Sequence, residues 1–145
     1  MKKSLRCICA AIFALAFCTG FVIHASAVER ASLYLTRDSA TVSASNNGAI
    51  EMSIFVVANK SVSELGASYI LLEESDDGGK TWSTAREYEG QSWMTAENRS
   101  TYSRTLSYPG TIGHQYRVTA EVFAKDANGG DSRTTPTSPV VTAKR

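Results

Sequence analysis

Past residue 27 the chain alternates apolar and polar residues with a period of two. Ile50, Met52, Ile54 and Val56 are interleaved with Glu51, Ser53, Phe55 and Val57, which predicts a long strand with one buried face. Gln115 to Lys125 carries the clearest alternation: Tyr116, Val118, Ala120, Val122 and Ala124 share a face, and Phe123 is the exception on the other. Ala67 to Glu74 is apolar on both faces until Glu73 and Glu74, as expected of a central strand. Shorter strands are predicted over Ala40 to Ala44, with Leu33-Tyr34-Leu35 leading in, over Trp82 to Tyr88, and over Thr101 to Ser107. In the last of these Tyr102, Arg104 and Leu106 share a face. Ser132 to Ala143 closes the series. Pro136 and Pro139 lack the N–H of a ladder donor, so this segment is predicted to be an edge strand.

Between the strands lie turn and loop signals. Asn46-Asn47-Gly48 and Asn128-Gly129-Gly130 are turns. Asn59 to Gly66 is a polar connection, and Glu89 to Ser100 is irregular and polar apart from Trp93 and Met94. The matches to the glycosylation sequon at Asn59-Lys60-Ser61 and Asn98-Arg99-Ser100 are taken simply as surface loops. No segment has the period of an amphipathic helix, and no internal repeat is present. About seven strands at this spacing predict an all-β fold, a single antiparallel β-sandwich. Its core is expected to draw on Ile50, Met52, Ile54, Val56, Ile70, Leu72, Trp82, Leu106, Tyr116, Val118, Ala120 and Val122.

Residues 1–27 break the alternation. Lys2, Lys3 and Arg6 precede an apolar run from Ala10 to Phe17, and Ala25-Ser26-Ala27 supplies a small-residue cleavage site, the layout of a secretory signal peptide. A membrane anchor would need a longer apolar stretch, and a lipoprotein signal would need a small residue where Phe17 precedes Cys18. The expected product is a secreted, extracellular protein from Val28 to Arg145. Taking 27 residues from 145 leaves 118, about one domain and long enough to bury a core. Cys7, Cys9 and Cys18 all fall in the leader, so the domain is expected to be disulfide-free. The leader also holds three of the fifteen basic residues and no acidic one, leaving twelve against fourteen and a net charge of −2. That balance gives no case for nucleic acid, and no membrane insertion is expected after cleavage.

Ser75-Asp76-Asp77-Gly78-Gly79-Lys80-Thr81-Trp82 reads as a hairpin turn, with Asp side chains bonding back to the backbone and Gly taking positive φ. The spacing Ser75, Asp77, Gly79, Thr81, Trp82 resembles the Asp-box of sialidases and other β-propeller proteins. The resemblance implies a structural brace away from any catalytic centre, with Trp82 folded onto the core. One box in so short a chain does not make a propeller. Leu106-x-x-Pro109-Gly110-Thr111 followed by Tyr116-x-Val118-x-Ala120 resembles the E–F corner and F strand of fibronectin type III and immunoglobulin-like domains. That resemblance implies a core-closing Leu and a Tyr hydrogen-bonded back to the corner backbone. Two features depart from that pattern: the corner is lengthened by Ile112 to Gln115, and the strand from Ile50 lacks a Trp. The layout as a whole resembles small secreted bacterial proteins without an assigned activity, each a signal peptide plus one such domain.

Candidate chemistry is sparse. Zinc needs clustered Cys and His, and past the leader only His114 remains, so no metal site is expected. Asp76 and Asp77 lack the alternating acidic ligands and distal Glu of a calcium loop. His114 is the single imidazole base available and no G-x-S-x-G elbow occurs, so it is expected to be a solvated loop residue. Glu87 and Glu89 would share a strand face ~7 Å apart, within the ~5–9.5 Å that glycosidases use, but a small sandwich has no cleft to desolvate one of them. No catalytic residues and no cofactor are therefore expected.

The aromatics are the one candidate for binding: Trp93 is set in a polar loop with Tyr88 and Tyr102 on neighbouring segments. The reading that weighs more for Trp93 itself is that it plugs an open end of the sandwich together with Met94. The expected function is a non-catalytic binding or adhesion module for a glycan or an extracellular protein. The alternatives are a structural protein assembling through its first strand or its Trp82 strand and, remotely, a small hydrolase. The oligomeric state is left open.

Overall fold

The computed structural model describes residues 33–145; the leader and its three cysteines lie outside these residues. Seven antiparallel strands make up the described chain: β1 Leu35–Ala44, β2 Ala49–Ser75, β3 Ser83–Glu89, β4 Thr95–Pro109, β5 Gln115–Asp126, β6 Gly129–Thr134 and β7 Val141–Thr142. Single 3-10 turns at Asn46–Gly48 and Ser92–Met94 interrupt them. In the first, Asn47 and Gly48 both take positive φ, as the turn signal implied.

β2 organises the fold by belonging to two layers. Its first half pairs with β1 on one side (Met52 opposite Val42) and with β4 on the other (Met52 opposite Leu106). Its second half pairs with β3 (Ile70 opposite Tyr88) and with β5 (Ile70 opposite Ala120). The changeover lies at Glu64–Gly66, where β4 (Glu97, Ala96, Thr95) and β5 (Lys125, Ala124, Phe123) flank the strand together. Only glycine fits at position 66, because a Cβ there would stand 1.9 Å from the Met94 carbonyl oxygen.

This arrangement corrects two expectations. Asn59 to Gly66 is not a connection but the middle of β2, and residues 95–100 are the start of β4 rather than irregular chain. Both sequons therefore lie in exposed strand. The polarity of Asn59, Lys60, Ser61 and Ser63 reflects their exposure, while Val62 and Leu65 between them are buried. Strands on both sides satisfy the backbone of residues 64–66, which side-chain character alone does not reveal.

The inward faces of both halves of β2 meet in one core. Ile50, Met52, Ile54, Val56, Ile70 and Leu72 are fully buried together with Tyr116, Val118 and Val122. The result is an antiparallel immunoglobulin/fibronectin III-like sandwich, with β1, β4 and the first half of β2 facing β3, β5, β6, β7 and the second half. Burial of the apolar faces drives this packing at ~25 cal/mol per Å² removed from water. At the β4–β5 corner the Thr111 N–H donates to Tyr116 Oη at 2.8 Å, so the lengthened corner still reaches its tyrosine. Trp82 does not join the core. It is half-buried under Arg117, whose guanidinium lies 4.2 Å from the ring centroid. Arg117 alternates with buried Tyr116 and Val118, which puts the indole on the outer face. Leu106 packs on the core but is only partly buried, because β4 edges its layer.

The final segment runs along the outer edge of β5, but as two short strands rather than one. Between β6 and β7, residues 135–140 carry both prolines and make no regular ladder. Thr135 and Ser138 keep this stretch attached through their hydroxyl groups.

Candidate ligand-binding site

The turn after β2 is held by one carboxylate. Asp77 Oδ1 accepts the Ser75 hydroxyl at 2.8 Å and the backbone N–H groups of Lys80 and Thr81 at 2.9 and 3.0 Å. Its Oδ2 accepts the Thr81 hydroxyl at 2.7 Å. The bond from the Thr81 hydroxyl, then those from the Thr81 N–H and the Ser75 hydroxyl, hold the Asp77 carboxyl well below the usual carboxylate range. Ser75 Oγ accepts the Gly79 N–H at 2.9 Å, and the Trp82 indole N–H donates to the Gly79 carbonyl at 3.2 Å. Gly79 needs its positive φ of 86° to present both groups. Ser75, Asp77, Gly79, Thr81 and Trp82 thus act on one another, and Asp77's lone pairs are spent inside the loop.

The aromatic residues singled out by sequence come together at the opposite end of β3. Trp93 lies in the turn joining β3 to β4 and meets Tyr88 edge-on, with ring centroids 5.5 Å apart and planes at 74°. Both rings are half-buried against the core. Tyr102 is different: it is 5% exposed, and its hydroxyl donates to the Trp93 carbonyl at 3.2 Å. Its ring therefore offers no face to a ligand, which corrects its place among the contact residues and makes it a support for Trp93. Met94 is buried beside it.

Two arginines, not anticipated as site residues, complete the cluster. The Arg86 guanidinium carbon lies 5.5 Å from the Tyr88 ring centroid, and that of Arg104 lies 5.1 Å from Trp93. Their place follows from register. Arg86 is opposite Leu72 and Arg104 is opposite Ile54, both of which are fully buried. Each arginine thus projects from the core side of an edge strand, where the two layers part. A sequence signal did exist: Arg104 falls on the inward face of its strand between Tyr102 and Leu106.

Glu87 and Glu89 lie opposite Leu71 and Tyr69 on the outer face, and the Tyr69 hydroxyl donates to Glu87 Oε1 at 2.8 Å. His114 is not a solvated loop side chain. It is half-buried with Nδ1 against Glu74 Oε1, bordering a pocket of about 300 Å³ that Asp76, Thr81, Trp82 and Ser83 also line. The Ser83 hydroxyl is directed to the Glu74 carbonyl. Among the described residues no group of three His, Cys, Asp or Glu side chains is placed to hold a metal ion.

No protein-family model matches the chain, and no curated protein matches it. Among solved structures it is similar to the "Twitchin kinase region from C.elegans (Fn31-NL-kin-CRD-Ig26)", with 11% sequence identity and a TM-score of 0.34. The match covers 77% of this chain and 17% of that one.

Proposed function

We propose that this chain is an exported, non-catalytic binding module, of the kind found in small secreted bacterial proteins, whose ligand is a glycan or an extracellular protein. The observation that carries the reading is the half-buried Trp93–Tyr88 pair at an edge where the layers part. Rigid aromatic rings in such a place give a ligand large contact area at low entropic cost. The Asp77-centred turn fits an Asp-box brace, a structural part standing apart from this pair. Export rests on the signal-like leader alone.

A glycan array and a pull-down from the cell's surroundings, each followed by tryptophan fluorescence on any hit, test the reading. A ligand that shifts Trp emission and is lost on replacing Trp93 and Tyr88 together with Ala supports it. A ligand that survives the double replacement places binding elsewhere.

A further inference from the structure

We propose that the mouth between the two layers, from Arg86 through Tyr88 and Trp93 to Arg104, binds an anionic polysaccharide. Its carboxylate or sulfate groups take the in-plane N–H donors of the two guanidinium groups. This inference rests on the binding-module reading and names its ligand class.

The molecule contains a completed version of the same arrangement. Arg117 stacks over Trp82 at 4.2 Å and holds the Glu73 carboxylate at both Nε and Nη2, at 2.7 and 3.0 Å. Stacking fixes the guanidinium plane while leaving its edge donors for a planar oxyanion. Arg86 and Arg104 likewise lie over Tyr88 and Trp93, at 5.5 and 5.1 Å from the ring centroids. Among the described residues no carboxylate forms a salt bridge with either, in contrast to Arg117; Arg37 and Arg99 share that lack, but Arg86 and Arg104 stand together over one ring pair. Two exposed cations held over a ring pair are a complement for repeated negative charge on a chain that also presents ring faces.

Strand register favours a polysaccharide over an acidic peptide. Arg86 and Tyr88 alternate along β3 with Glu87 and Glu89, which project from the other face. An acidic peptide added along this edge would carry half of its side chains onto that glutamate face. A sugar polymer seated in the mouth meets only the arginine side. The residues preceding Trp93, Gln91 and Ser92, add no opposing charge.

The test uses the purified protein as its host processes it, titrated with polygalacturonate, fully methyl-esterified polygalacturonate, dextran sulfate, neutral dextran and poly-glutamate. Binding is followed by Trp fluorescence and by retention on immobilised polymer. The expected result is binding to polygalacturonate or dextran sulfate, the two arms telling carboxylate from sulfate, with none to the esterified or neutral polymers. R86Q/R104Q should weaken it about tenfold or more, while the urea midpoint falls only slightly, because each variant loses no more than an exposed cation–π contact with a ring of the cluster. R37Q removes one positive charge from an arginine that also lies over a ring, that of Phe55, and should leave binding intact. Equal binding to the esterified polymer, an R37Q effect as large as that of the double variant, or tighter binding to poly-glutamate would overturn the proposal. So would no binding to either anionic polysaccharide. In that last case a hit on a neutral glycan or a captured protein leaves the binding module standing, and a blank on those as well removes both.

Discussion

Ser138 and Val118 meet as a closed pair: the Ser138 N–H donates to the Val118 carbonyl at 2.9 Å, and the Val118 N–H donates to Ser138 Oγ at 3.0 Å. Thr135 and Ala120 repeat the arrangement at 2.8 and 3.1 Å. In a regular ladder the β5 N–H groups would go to carbonyls of the neighbouring strand. Beside Pro136 and Pro139 the backbone cannot keep ladder geometry, and a hydroxyl three residues on from another hydroxyl supplies the acceptor.

Replacing Ser138 with Ala, or Thr135 with Val, leaves one buried N–H of β5 unpaired. Each change is expected to lower stability by about 1–3 kcal/mol. A urea unfolding midpoint that falls with an unchanged slope would show it. No change in midpoint would mean that water replaces the hydroxyl.

Asp77 ties its acidity to the folded turn. Its carboxyl is held below the ordinary range when folded and returns to about 3.9 when the chain unfolds. Its contribution is therefore complete above that pH and is lost progressively as pH falls below it. D77A is expected to unfold at lower urea concentration than the native protein at pH 7. The gap between the two midpoints should narrow as pH drops from 5 to 2.5. A gap independent of pH would contradict this.

Gly66 stands where β2 is flanked by β4 and β5 at once. A methyl group there meets the Met94 carbonyl oxygen at 1.9 Å, and backbone on both sides prevents relief. G66A is expected to cost at least the upper end of the ~1–3 kcal/mol typical of overpacking, read as a large drop in melting temperature or loss of soluble protein. G78A is the comparison, since nothing lies within 4 Å of a Cβ there, although its φ of 77° adds a smaller backbone penalty.

Removing the Tyr116 hydroxyl strips the Thr111 N–H of its acceptor while leaving the ring in the core. Y116F should destabilise by about 1–2 kcal/mol, and the Thr111 amide should lose protection from hydrogen exchange. Retained protection would mean that the corner has another partner for that amide.

How legible each part was depended on how local its cause is. The alternation at Ile50–Val56 and Tyr116–Ala124 located the core strands, since period two needs only a buried face on one side. The turn at 75–82 was legible because its donors and its acceptor lie within a few residues of one another. Trp82 was misplaced as core. Its side is decided by Arg117 and Glu73, which lie thirty-five residues downstream and nine upstream, and no local pattern reports that.

The chain's own residues determined an all-β domain, the strands that build its core, and the Asp77 turn and Asn47-Gly48 turn. These follow from side-chain period and from hydrogen bonds between near neighbours. Tertiary structure alone decided that residues 59–66 are strand, that Tyr102 lies beneath Trp93, and that Arg86 and Arg104 flank one ring pair. Each of these depends on which strand lies alongside, and pairing between segments tens of residues apart is settled by the packing of the two layers.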